Sequence, residues 1–253
     1  LVAESVGAAD LLFIDYLRRD LARPQTGAAS ENPLEPARRL AGVFFRIFDL
    51  DFELGVIARW EKADRAGKEE LLPILAEHYS IYAEERAADD GPFPPYGHNY
   101  RLAARYRALA KRYRAISFGK GELQALLRVC PFDPDESGKA WQLAKSLHDD
   151  VGEAWAAYHF GIWAAEGEPE AAAEHAVAAA EKLKLPRLSQ LALTRQAWRL
   201  FNIDDYDGYV DHLRRGLEVI RTMPIPASPR GVLIAATVSA ASGEFMPGRR
   251  HPP

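Results

Sequence analysis

Apolar residues recur along this chain at intervals of three and four, with almost none of the period-two alternation of a half-buried strand, so the pattern predicts helix after helix. Leu11, Leu12, Ile14 and Leu17 mark a first helix that stops before a turn-rich stretch from Arg23 to Pro36. Pro36 then stands where a first-turn proline is tolerated, and Leu40, Val43, Phe44, Ile47 and Phe48 form a stripe at helical spacing. Helices follow from about Phe52 to Lys62 and from Gly67 to near Asp89, the latter with Leu71, Leu75, Tyr79 and Tyr82 on one side and Glu69, Glu70, Glu77 and Glu84 in water.

The run Gly91-Pro92-Phe93-Pro94-Pro95-Tyr96-Gly97 cannot continue a helix, because proline lacks the donor and restricts the residue before it. It divides the chain into an N-terminal helical region, 1–90, and a second helical region, 98–245, followed by a tail, 246–253. Within the second region helices are expected near 99–115, 120–129, 136–147, 151–166, 169–183, 188–201, 207–221 and 230–241. Short links punctuated by glycine or proline make sequential helices antiparallel neighbours.

A shift of 36 residues superposes Ala173 on Tyr209, Val177 on Leu213 and Ala180 on Gly216. The segment Trp155 to Gly161 with Ala173 to Leu183, and the segment Ala197-Trp198 with Asp205 to Ile220, resemble tetratricopeptide repeats. Gly161, Ala173 and Ala180 match that family's small-residue positions in the first copy, and Ala197 and Gly216 in the second, where Tyr209 is the departure. The resemblance implies an all-α fold of stacked antiparallel helix hairpins in a right-handed superhelix. It also implies a groove lined by the first helix of each hairpin, with Trp155, Tyr158 and Ile162 from one copy and Thr194 and Trp198 from the other. The function expected is that of a non-enzymatic scaffold or regulatory module for a protein or peptide partner.

Charge changes this picture at one place. The formal net charge is −4, which argues against condensation on nucleic acid or anionic lipid. Yet Arg101, Arg105, Arg107, Lys111, Arg112, Arg114 and Lys120 occur with no acidic residue among them. Arg105 and Arg112 would select an acidic partner if they border the groove, whereas Glu69, Glu77 or Glu84 of a neighbouring helix would neutralise them if they do not. With 48% hydrophobic and 27% charged residues the chain has a globular composition. Its longest uncharged apolar run, Gly231 to Ala241, is too short for a membrane span, and a single cysteine, Cys130, suits the cytoplasm.

Two alternatives carry chemistry. Leu147-His148-Asp149 with Gly152 resembles the central motif of HD-type metal-dependent phosphohydrolases, with His98 as the upstream histidine and Asp207 or Asp211 as the downstream carboxylate. That resemblance implies a divalent metal that polarises a phosphate and activates water. The other alternative is a ligand-sensing regulatory domain with an internal pocket. The turn Asp204-Asp205-Tyr206-Asp207 is not a calcium loop, since Ile203 and Arg214 stand where oxygen ligands are needed, and reads as helix capping. There is no HExxH pair and no phosphate-cradling glycine loop.

Overall fold

A computed structural model describes residues 2–23, 34–87, 96–162 and 168–222. Among them are eleven α-helices, one short 3-10 turn and no strand. The helices are α1 (Val2–Ala22), α2 (Glu35–Phe48), α3 (Phe52–Lys62), α4 (Arg65–Ala87), α5 (Tyr96–Ala115), α6 (Gly119–Leu127), α7 (Pro134–Leu147), α8 (Asp150–Phe160), α9 (Glu168–Lys182), α10 (Pro186–Asn202) and α11 (Tyr206–Thr222). The expected helix at 230–241 and the tail at 246–253 lie outside the described residues, as does the expected junction up to Pro95. None of the described helices is long and apolar enough to cross a membrane. The chain falls into two compact units, Leu1–His159 and Phe160–Pro253.

Proline and capping residues start several helices where the sequence places them. Pro36 lies in the first turn of α2, Pro134 opens α7 and Pro186 opens α10. Asp133 caps α7 by accepting from the backbone N–H groups of Asp135 and Glu136. Four joints end alike. Ser117, His148, Lys184 and Asp204 adopt positive φ, and the residue after each donates to the carbonyl five positions back: Phe118 to Tyr113, Asp149 to Ala144, Leu185 to Ala180 and Asp205 to Leu200. This is the left-handed helix stop that usually employs glycine, here made four times with a side chain present.

In the first unit α4 and α5 run antiparallel, as their cross-links show. Tyr106 donates to Glu85 and Tyr113 meets His78 on the inner side, while Arg105 pairs with Glu84 and Arg112 with Glu77 on the outer side. Each advance of two turns along α5 thus matches a retreat of two turns along α4. The core between them is aromatic: Phe52, Tyr79, Tyr82, Tyr106, Tyr113 and Phe118 are all buried around His78. In the second unit α10 packs against both α9 and α11. Arg199, near the end of α10, pairs with Glu170 at the start of α9, and Trp198 meets Tyr209 at the start of α11, so both neighbours run antiparallel to α10.

Candidate functional site

The arginines expected to select an acidic partner are engaged by neighbours. Arg105 bonds Glu84 at 2.5 Å, Arg112 bonds Glu77, Arg107 bonds Asp133 at 2.7 Å and Arg114 bonds Glu122. Four arginines of α5 are therefore matched by carboxylates of the same unit. Glu69, the third acid expected to contribute, instead pairs with Arg65 on its own helix.

The expected groove residues are distributed between both units. Trp155 is buried at 8% exposure, and its indole N–H donates to the Asp49 carbonyl at 2.8 Å. It serves the core of the first unit and presents no binding surface. Tyr158 packs edge-on against it with ring centroids 6.1 Å apart. In the second unit the Ile162 carbonyl accepts from Arg195 at 2.7 Å, and the Thr194 hydroxyl donates to the Gln190 carbonyl at 2.8 Å. Trp198 is different: 44% of it is exposed.

Of the expected metal ligands, His98 lies on α5 with its side chain outside the described set. His148 is the left-handed stop of α7. Asp149 is fully engaged: one oxygen accepts from the Gly152 N–H at 2.9 Å, capping α8, and the other accepts from Lys120 at 2.8 Å. Asp207 and Asp211 are exposed on α11. Among the described residues no group of three or more His, Cys, Asp or Glu is placed to hold a metal ion.

The sequence reading missed a buried polar cluster in the first unit. Tyr79 donates to Glu53 at 2.9 Å, Gln124 donates to Tyr82 at 2.8 Å, and His78 Nδ1 lies 2.9 Å from the Tyr113 hydroxyl. Burial pushes the Glu53 carboxyl up to about 7 and holds His78 well below its ordinary value. Arg128 sits over the Tyr82 ring at 4.6 Å. The register could have revealed His78, which falls three residues after Leu75 and four before Tyr82 on the apolar side of α4. The cluster has the perturbed groups of a catalytic site; its hydrogen bonds are internal, and His78 Nε2 is buried without a partner. A concavity of about 250 Å³ in this unit is lined elsewhere, by Asp20, Arg23, Asp64, Arg65 and Lys68, and contains no His or Cys.

The open surface chemistry lies where α10 turns into α11. Trp198 and Phe201, three apart, share a face of α10. The left-handed Asp204, closed by the Asp205-to-Leu200 bond, reverses the chain, and Asp205 caps α11 by accepting from the Gly208 N–H at 3.0 Å. That reversal returns Tyr206 to Phe201, with ring centroids 5.8 Å apart, the same separation as Phe201 from Trp198. Tyr209 lies beneath, 5.3 Å from Phe201, over a small core of Ala197 and Leu213. Phe201 and Tyr206 are 37% and 38% exposed, and Ile203 in the turn is 60% exposed. Only Trp198 of this strip was singled out in the sequence; Phe201 follows from it by helical spacing, but Tyr206 joins only through the turn. The chain matches no protein-family model, no curated protein and no solved structure with which it was compared.

Proposed function

We propose that this chain is a non-enzymatic protein- or peptide-binding module of stacked, tetratricopeptide-like helix hairpins, and that its second unit binds through the aromatic strip Trp198–Phe201–Tyr206. The observation that carries this reading is the contiguous exposure of three aromatic rings held on a capped helix turn. Such rings supply contact area at low entropic cost, and single exposed apolar residues would carry no such weight.

Repeat-type stacking is supported by contacts 33 and 34 residues apart, close to the 36-residue shift of the sequence. Arg195 of α10 bonds the carbonyl of Ile162, 33 residues earlier, and Arg215 of α11 bonds Glu181 of α9, 34 residues earlier. Gly161 adds to this, since a Cβ there would lie 2.6 Å from the Ala173 Cβ, a close approach at two of the family's small-residue positions.

The test is selection from a displayed random peptide library by the wild-type chain and by a Trp198→Ala/Phe201→Ala variant whose helix content and melting are checked first. Enrichment of related sequences by wild type and their loss with the variant supports the reading. Equal enrichment by both, or none by wild type, overturns it.

A further inference from the structure

We infer that the aromatic strip at the α10–α11 turn is the seat of the chain's own residues 230–241, so that a partner peptide gains the strip by displacing them. The competition rests on the binding reading above; the occupancy stands without it. Residues 230–241, where the sequence predicts a further helix, lie outside the described set, and the 36-residue shift that relates α9 to α11 assigns their place. Within the second unit α10 meets the chain before it through Arg195, which bonds the Ile162 carbonyl, and through Arg199, which pairs with Glu170 and Glu174 on α9. Moved on by 36 residues, Ile162 becomes Trp198, Glu170 becomes Tyr206 and Glu174 becomes Val210, while Arg195 becomes Gly231 and Arg199 becomes Ala235. The shifted partners of Gly231 and Ala235 thus include the two outer rings of the strip.

Both sides of this contact change character together. An arginine between two glutamates gives way to an alanine between a tyrosine and a valine. Exchange on one side alone would set a charge against an apolar surface, so the matched change is what a repeated contact requires. The segment has its own need of cover. Gly231 to Ala241 is the longest uncharged apolar run of the chain, and a helix apolar on every side belongs in a packed interior. On such a helix Gly231, Ile234, Ala235 and Val238 share one face, which the exposed rings of Trp198, Phe201 and Tyr206 would cover. The reach is sufficient. With residue 235 level with Tyr206 and Val210, on a helix antiparallel to α11, the link 223–229 has about 14 Å to cover and spans about 23 Å when extended.

The experiment places two cysteines in the full chain and oxidises it, the native Cys130 being buried. Tyr206→Cys/Ala235→Cys is expected to form an intramolecular disulfide, mapped by proteolysis and mass spectrometry, about tenfold faster than Glu218→Cys/Ala235→Cys, whose α11 position lies about 18 Å further along the helix. Equal rates, or no disulfide in either variant, overturn the occupancy. The competition is read with Ile234→Asp/Val238→Asp, whose helix content and melting are checked first. Peptides recovered from the library selection are expected to bind this variant about threefold to tenfold more tightly than wild type. Unchanged or weaker binding overturns the competition. The disulfide together with an empty library selection supports the occupancy and overturns the binding reading, and the competition with it. No disulfide together with a selection that depends on Trp198 overturns the occupancy and leaves the binding reading intact.

Discussion

The Trp155 indole N–H donates to the Asp49 carbonyl at 2.8 Å across 106 residues of chain, fastening α8 to the joint between α2 and α3. A side chain that the repeat pattern assigns to a binding groove is thereby committed to holding the first unit together. Trp155→Phe keeps most of the ring and removes the donor, and is expected to cost about 0.5–1.5 kcal/mol. Urea unfolding checks this, and peptide binding at the α10–α11 turn should be unchanged.

Gly161 is the tightest approach in the second unit that backbone atoms define. A Cβ there would come within 2.8 Å of the Ala173 Cα and N, and a main chain cannot swing aside as a side chain can. Gly161→Ala is expected to destabilise by about 1–3 kcal/mol through overpacking. Gly216→Ala provides the control, because its added Cβ would meet only Leu193 at 3.9 Å and should raise stability of α11 by up to about 1 kcal/mol. Thermal melts of the two variants should move in opposite directions.

Stability should crest near pH 6.5. Glu53 is held up to about 7 against an ordinary 4.5 by burial, with Tyr79 on α4, Asp10 on α1 and Arg128 as its polar and charged neighbours. The folded state therefore retains a proton that the unfolded chain releases, and stability falls as pH rises from about 4.5 to 7. His159, lowered to about 3, and His78, also lowered by burial, act oppositely: the unfolded chain gains their protons below 6.5, so stability falls as pH drops. Glu53→Gln keeps an acceptor for the Tyr79 hydroxyl and removes the alkaline limb. Urea midpoints between about pH 5 and 8 should show the variant surpassing wild type at the upper end.

Lys120 joins two helix caps, 2.7 Å from Asp51 at the start of α3 and 2.8 Å from Asp149 at the start of α8. Lys120→Met leaves those carboxylates facing each other without a cation. The expected cost is about 2–3 kcal/mol, below that of a fully buried pair because Lys120 remains 21% exposed. The loss should shrink toward low pH, where protonation of Asp51, already raised by burial, relieves the repulsion.

Helix positions were legible in the sequence because proline, glycine and aspartate punctuate them, and the faces were less so. On α5 and the turn after it the stripe of Leu102, Tyr106, Leu109, Tyr113 and Ile116 holds at its centre, yet Ala103 and Ala110 are buried while Leu102 and Ile116 are only half-buried. On α2 Ala37 and Ala41 share the core with Phe44, and Val43 is 39% exposed. Where helices approach closely the small residue occupies the contact, which a search for large apolar residues overlooks. The pairing of Arg105 and Arg112 with Glu84 and Glu77 was visible only as an option, since it depends on the antiparallel register of α4 and α5. The aromatic strip required the geometry of a turn that no periodicity encodes.

The four left-handed helix stops have a consequence for how this protein is made. Each closes with a bond to the carbonyl five residues back, so a joint is complete as soon as the first residues beyond it exist. In the second unit α9, α10 and α11 meet through two such joints, and each new helix folds back on the one before. Contacts that local give low contact order and rapid folding. During synthesis the α9–α10 hairpin can lock before α11 has been added, so Trp198 and Phe201 are in place before Tyr206 arrives to complete the aromatic strip.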